Sequence, residues 1–428
     1  MAVFSTSWAL PFLSALLSGF SAMASPIASA ITLENPNGRV RMETKIKKLN
    51  FEAVGLQIRG REQMYELISI PHSEEVSIER VDVDAAHKMA WKIHRAGQEQ
   101  LIFDRYLMMK NVSMRKGGQF FPSQVILSAS STSRNAFDVI GVLPLENYLV
   151  GVVASEMPLS WPMEALKAQA VAARSYTLVQ MRERAGKIFH VESNILDQVF
   201  THISQHQEQS GLTAKAKAAV SATAGLVLLD SKQQVLKAYY HSDCGGKTSN
   251  AASIWGYGVS TGSAVDSWCP SNPKAHWSFE ISQKSLSEKL QKFARHPMES
   301  VIALVALRPS PEDRVEKMKI QWASADGQSG TTEERTIMAA QFREAMGFDQ
   351  MRSTFFDMQK QGSDKDSEYL FIGQGFGHGV GLCQWGAKAQ AKAGRSYMDI
   401  LKHYYPRAET QLLKSKLARQ FADSEAQN

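Results

Sequence analysis

Three stretches hold residue types able to do chemistry. In Ala154-Ser155-Glu156-Met157-Pro158-Leu159-Ser160-Trp161-Pro162 a single carboxylate sits among apolar neighbours. Such surroundings disfavour the ionised form and raise a carboxyl pKa toward neutrality, as a general acid requires; the alternative is a Glu that merely favours a helix N-terminus through the dipole. From Gly373 to Gly381 every second residue is glycine, and Leu382-Cys383-Gln384-Trp385-Gly386 follows. That density implies backbone in close contact with a neighbouring strand or a long ligand. His378 is its only titratable group and could be a base, a donor to a sugar, or a satisfied core histidine. No Lys-Ser/Thr follows, so the run is no phosphate cradle. The third stretch runs from His241 through Ser242, Asp243, Cys244 and Lys247 to Thr248. A Cys three residues after a His invites a zinc reading, with Cys269 or His276 completing a site, but the spacing matches no common structural zinc pattern and no metal is assigned. His202 and His206 lack the Glu of His-Glu-x-x-His and read as a solvated helix face. There is no Gly-x-Ser-x-Gly elbow and no Walker A sequence, which argues against an ordinary serine hydrolase or a nucleotide enzyme.

These stretches need elements to position them. Residues 145–152 read as a short helix, and Ser160-Trp161-Pro162 as a helix start with Ser160 as N-cap and Pro162 in the first turn. A helix follows over 163–184. Ala165, Ala168, Ala170, Ala172 and Ala173 keep it lean, so other backbones can approach it closely in the middle of a domain. A further helix is expected at 213–223, then strands at 226–229 and 235–241 paired as a hairpin. Residues 31–135 alternate apolar and polar positions, as in 48–54 and 76–83, and read as a β-rich accessory region, with a small-residue joint at 128–133. The principal domain spans 136–410, with a second lobe or insertion at about 280–370, and 411–428 reads as a charged helical tail. The fold class expected is α+β, in two lobes.

Forty-eight Lys and Arg against forty-two Asp and Glu give a net charge of +6 over 428 residues, with 44% hydrophobic residues. That excludes a largely disordered chain. No basic run suits a nucleic-acid partner. The first 33 residues carry no charge, and an apolar stretch from Trp8 to Phe20 precedes small-residue sites at Ala22-Met23-Ala24 and Ala28-Ser29-Ala30. Residues 1–30 therefore read as a signal peptide for export, although positive residues before the apolar stretch are missing, and the stretch is too short for a stable membrane span. Of the three cysteines, Cys244 and Cys269 could then join as a cystine, leaving Cys383 as a buried thiol.

Taken together, the segments resemble the SpoIID/LytB family. The matching blocks are Leu143-Pro144-Leu145-Glu146-Asn147-Tyr148-Leu149, Glu156-Met157-Pro158, the run from Trp161 to Arg174-Ser175-Tyr176, Ser242-Asp243-Cys244-Gly245-Gly246-Lys247-Thr248, the glycine run through Gln384-Trp385-Gly386, and His403-Tyr404-Tyr405-Pro406. The resemblance implies a lytic transglycosylase acting on peptidoglycan glycan strands outside the cytoplasm, with Glu156 as the acid. The LytB branch is described as an amidase enhancer, which makes a cell-wall amidase a potential partner and a non-catalytic wall-binding module the competing reading. Gln169, Arg174 and Tyr176 are then candidates to support the Glu156 loop, the first two equally as buried structural partners. His241, Ser242 and Thr248 join that binding or supporting set. His378, Gln384 and Trp385 are candidates for a glycan groove, Trp385 equally for the core. Two departures stand out. Cys383 occupies a position where Ser is usual, and the Cys and His residues that hold a metal in some members are here Glu192, Leu196 and Asp197, which argues against zinc there and leaves no cofactor expected.

Overall fold

A computed structural model describes residues 36–53, 55–60, 68–83, 88–111, 115–116, 119–203, 211, 213–258, 262–269, 272–273, 275–324, 332–362 and 367–413. The signal-peptide reading of 1–30, His206 and the end of the tail lie outside them. Eight helices are described: α1 (Leu145–Glu156), α2 (Met163–Glu183), α3 (Ala214–Ala222), α4 (Ala251–Trp255), α5 (Gln283–Leu290), α6 (Ala339–Met346), α7 (Gln384–Lys392) and α8 (Tyr397–Tyr404). With several sheets beside them the fold is α+β, and the N-terminal region is β-rich. Among the described residues no helix is long and apolar enough to cross a membrane.

The N-terminal strands alternate as their sequence dictates, so Lys48–Ala53 turns Leu49, Phe51 and Ala53 inward and its polar residues out. A four-stranded sheet (Lys48–Ala53, Glu74–Asp82, Met89–Arg95, Gln98–Ile102) shares one apolar core with a seven-stranded sheet, built around Trp91, Phe137, Leu49 and Ile58. The seven-stranded sheet does not stop at the expected joint. Gln124–Ala129 turns back through residues 130–136 into Phe137–Pro144, which pairs with Asn37–Ile46, and that strand in turn pairs in parallel with Val191–Glu192. The β-rich region is thus stitched directly to the helical core.

That core is centred on α2. Its alanines let α1, α3, α7 and α8 approach on several sides, and Ala165 to Met181 is buried apart from Lys167. The helix start differs from expectation: Pro162 itself is the N-cap, with no side-chain cap. The hairpin of 226–241 forms only next to its turn, where Leu229 bridges Val235 in antiparallel fashion and the Leu236 N–H donates to the Leu228 carbonyl at 2.8 Å. Leu226–Leu229 also pairs along its length with Glu409–Leu412, where a helical tail was expected to begin, and of 235–241 only Tyr240–His241 forms a strand, parallel to Leu382–Cys383. A separate apolar core gathers described residues from Trp277 to Phe371 around Trp277, Trp322, Phe342 and Phe371.

Candidate active site

Helix α1 ends at Glu156 because Pro158 follows: the residue before a proline is driven out of the helical region, and Met157 is extended at φ −130°, ψ 138°. Glu156 is therefore the last residue of a helix and not, as the sequence suggests, in a loop before one. Its Oε1 accepts the Val199 backbone N–H at 2.8 Å and its Oε2 accepts the Gln384 amide at 3.1 Å. Burial of the carboxyl raises its pKa, and the two donors oppose the rise. The negative end of the α1 dipole acts in the same direction as burial. The outcome is a half-buried acid more easily protonated than an ordinary Glu.

Val199 is held by a network that the sequence did not reveal. Gln198 accepts from Tyr148 Oη at 2.9 Å and Thr177 Oγ1 at 2.8 Å, and donates to the Ala173 carbonyl. Asp197 accepts from Tyr176 Oη at 3.0 Å and pairs with Arg184. Tyr240, missed in the sequence, brings a buried hydroxyl toward Gln198 without a well-formed hydrogen bond, and lies near enough to Glu156 for that carboxyl to add to the upward push of burial on its pKa. Its only sequence signal was an aromatic residue next to His241. The family-implied metal position does not fit a cation: Glu192 is paired with Arg41, Asp197 with Arg184, and Leu196 is exposed, so guanidinium groups already hold both carboxylates.

The remaining candidates divide by place. Gln384 opens α7 and touches Glu156 directly. Trp385 beside it is half-buried, packs edge-on against Trp161 at 5.2 Å between centroids, and lies under the Lys388 ammonium at 3.8 Å. Tyr176 acts on the Asp197 loop, two steps from Glu156. Arg174 is turned elsewhere: it grips Glu146 through two 2.7 Å bonds and donates to the Leu226 and Val220 carbonyls. Gln169 is fully buried in α2, and neither of its amide atoms has a hydrogen-bond partner among the described residues. Ser242 accepts the Trp385 N–H with its carbonyl at 3.1 Å, and Thr248 Oγ1 clamps Ala264 N at 2.7 Å. His241 Nδ1 donates to the Val380 carbonyl at 3.1 Å, and burial with the nearby Arg314 guanidinium pushes its pKa down to about 3. His378 packs between Tyr239, Trp255 and His241, accepts the Val380 N–H on Nδ1, and is likewise held neutral by burial. The glycine run is explained by neighbouring backbone: Gly381, at φ +71°, has no room for a Cβ against the Tyr239 carbonyl, and Gly375, at φ +80°, lies against Asp243 and Gly245. His276 is on an exposed strand position and is not among the residues that gather with the cysteines. Two surface hollows, one beside Leu228 and Leu401 and one beside Tyr106 and Lys187, are not lined by Glu156.

Comparison with known proteins bears on this arrangement. The family described as SpoIID, Stage II sporulation protein, matches residues 133–229, which carry Glu156 and the whole of α2, and a Domain of unknown function (DUF8618) matches 270–381. An uncharacterized protein of Brachyspira hyodysenteriae is 30% identical over 62% of this chain and 66% of its own length. Stage II sporulation protein D of Bacillus amyloliquefaciens is 29% identical over 65% of this chain and 78% of its own. The amidase enhancer of Bacillus subtilis is 28% identical over 60% of this chain, which spans only 39% of that protein. With the family match lying over the Glu156 segment and relatives named for both branches, the chain belongs to the SpoIID/LytB family.

Proposed function

We propose that the protein is an exported lytic transglycosylase that cleaves the bond between N-acetylmuramic acid and N-acetylglucosamine in peptidoglycan glycan strands, with Glu156 as its single acid and base. Membership of the family supports a role at the cell wall. The observation that carries the finer reading is one carboxyl with a raised pKa, held between the Val199 N–H and the Gln384 amide. Hydrolysis of a glycoside usually takes two carboxyl groups, but an intramolecular attack needs only one that works twice. Protonated Glu156 gives its proton to the bridging oxygen as the bond to C1 breaks. The carboxylate so formed takes the proton of the muramoyl 6-hydroxyl as that oxygen bonds to C1, which closes the 1,6-anhydro ring and returns the acid without consuming water. The Val199 and Gln384 donors stabilise the carboxylate between the two steps and keep it aimed. The half-buried Trp385 offers a face for a sugar ring beside this acid.

Incubation of the purified chain with denuded glycan strands should yield anhydro-muramoyl ends by mass spectrometry, and Glu156→Gln should lower their formation by at least about a hundredfold, the usual scale of general acid–base catalysis. Equal product from both proteins rejects the assignment. The amidase enhancer among the relatives favours a second reading, a wall-binding module that stimulates an amidase. It would be supported by acceleration of a cell-wall amidase with no anhydro product from either form.

A further inference from the structure

We propose that Cys244, Asp266, Cys269 and Cys383 form a closed, four-ligand site for a zinc ion, distinct from Glu156 and from the position at Glu192 and Asp197 that arginines occupy. All four are buried, and one ligand atom from each lies within 4.8 Å of every other. They come from three places in the chain: the turn after Tyr240–His241, the 266–269 loop, and the residue just before α7.

The spacing suits a metal better than a cystine. Cys383 Sγ and Cys269 Sγ are 3.5 Å apart. A disulfide needs about 2.0 Å. Two thiolates on a tetrahedral zinc at about 2.3 Å each stand roughly 3.8 Å apart. Cys244 Sγ lies 3.3 Å from Asp266 Oδ2, close to the shorter edge a carboxylate ligand makes. Any single cystine would strand the third sulfur beside a buried carboxylate, whereas one divalent ion uses all four groups.

The surroundings are those of a thiolate site. Backbone N–H groups of Cys244 and Gly386 point at Cys383 Sγ at 3.3 and 3.4 Å, and that of Gly246 at Cys244 Sγ at 3.3 Å. Such donors disperse thiolate charge, and an outer partner orients the carboxylate: Tyr404 Oη donates to Asp266 Oδ2 at 2.7 Å. Three thiolates and one carboxylate around a dication leave net negative charge. The buried Arg314 guanidinium stands beside the cluster, bonded through Nη2 to the Cys244 carbonyl, with its Nε and Nη1 lacking hydrogen-bond partners among the described residues. A buried cation at this place helps to balance that charge. Binding would expel the thiol protons and tie the segment that starts α7, with Gln384 at its head, to the turn after His241.

The full-length protein, purified without chelator, should contain about one equivalent of zinc by mass spectrometry of the metal. Cys269→Ser and Asp266→Asn should each reduce this severalfold while anhydro-product assays are left aside. Because either variant could fail to fold, the wild-type chain stripped and reloaded with Co2+ gives a second readout: thiolate-to-cobalt charge-transfer absorption together with the strong visible bands of a tetrahedral site. Folded wild type that holds no zinc and gives no such spectrum overturns the proposal. So does non-reducing peptide mapping that finds a cystine between any two of the three cysteines.

Discussion

At the scale of one side chain, Glu156 shows how a site can work against its own fold. A carboxyl whose pKa is raised in the folded state binds its proton more tightly there than in the unfolded chain. Folding is therefore assisted by this group at low pH, and that assistance fades as pH rises through its unfolded value of about 4.3 and on past the folded one. Above that window the ionised, half-buried group costs stability. Glu156→Gln, which keeps an acceptor for the Val199 N–H and meets a Gln384 amide free to flip, should raise Tm at pH 7 by a few degrees, as about 1 kcal/mol does in a domain of this size. The gain should shrink toward zero near pH 4, as followed by thermal unfolding across pH. A Tm for Glu156→Gln equal to or below wild type at pH 7 would contradict the raised pKa. The sequence made Glu156 legible, since its apolar neighbours are local. Gln384 was singled out only for a glycan groove, and that it and Val199 would be the donors was not legible, because they lie 228 and 43 positions away.

Among the elements, α1 and α2 must hold a fixed angle for Glu156 to meet Val199 and Gln384. Arg174 fixes it. The guanidinium, 1% exposed, is bidentate to Glu146 in the first turn of α1, where a carboxylate also suits the dipole. Glu146→Ala would leave a buried cation with backbone carbonyls alone, a loss on the order of 3–5 kcal/mol. Glu146→Gln, which keeps one acceptor, should lose less, and denaturant midpoints would rank the two; a near-neutral Glu146→Ala would show that the pair contributes little. Helix α2 itself was readable over 163–184 because alanine spacing is a local property. The expected hairpin at 226–241 was readable only beside its turn, where Leu229 bridges Val235; that Leu226–Leu229 also pairs with Glu409–Leu412 was not, because that partner lies far along the chain.

For the whole molecule, buried neutral histidines set the acid limit. His241 is pushed down to about 3 by burial and Arg314, and His190 to about 3 by burial, Arg39 and Arg184. Each is neutral in the fold and takes up a proton near pH 6.5 once unfolded. Their stabilising contribution is thus complete above pH 6.5 and is lost as pH falls from there toward about 3, each with a slope of up to about 1.4 kcal/mol per pH unit. The contribution from Glu156 has the opposite sign. Comparing wild type with His241→Asn in urea at pH 7 and pH 5 isolates the histidine: the stability difference between the two proteins should shrink as pH drops, and a pH-independent difference would refute the neutral assignment.

What the sequence determined by itself was whatever a few neighbouring residues decide. That covers the strand alternation of the N-terminal region, the lean helix, and the alternate glycines that let backbone lie against backbone. Tertiary structure alone decided which backbone the glycines meet, that His241 and His378 sit neutral against one another, and that Val199 and Gln384 hold the acid with Tyr240 nearby. It also decided that Cys244, Asp266, Cys269 and Cys383 converge from positions up to 139 apart. The physical reason is range: turns and periodicity act over a few residues, whereas a site is assembled by packing, where burial and hydrogen bonding compare every segment with every other.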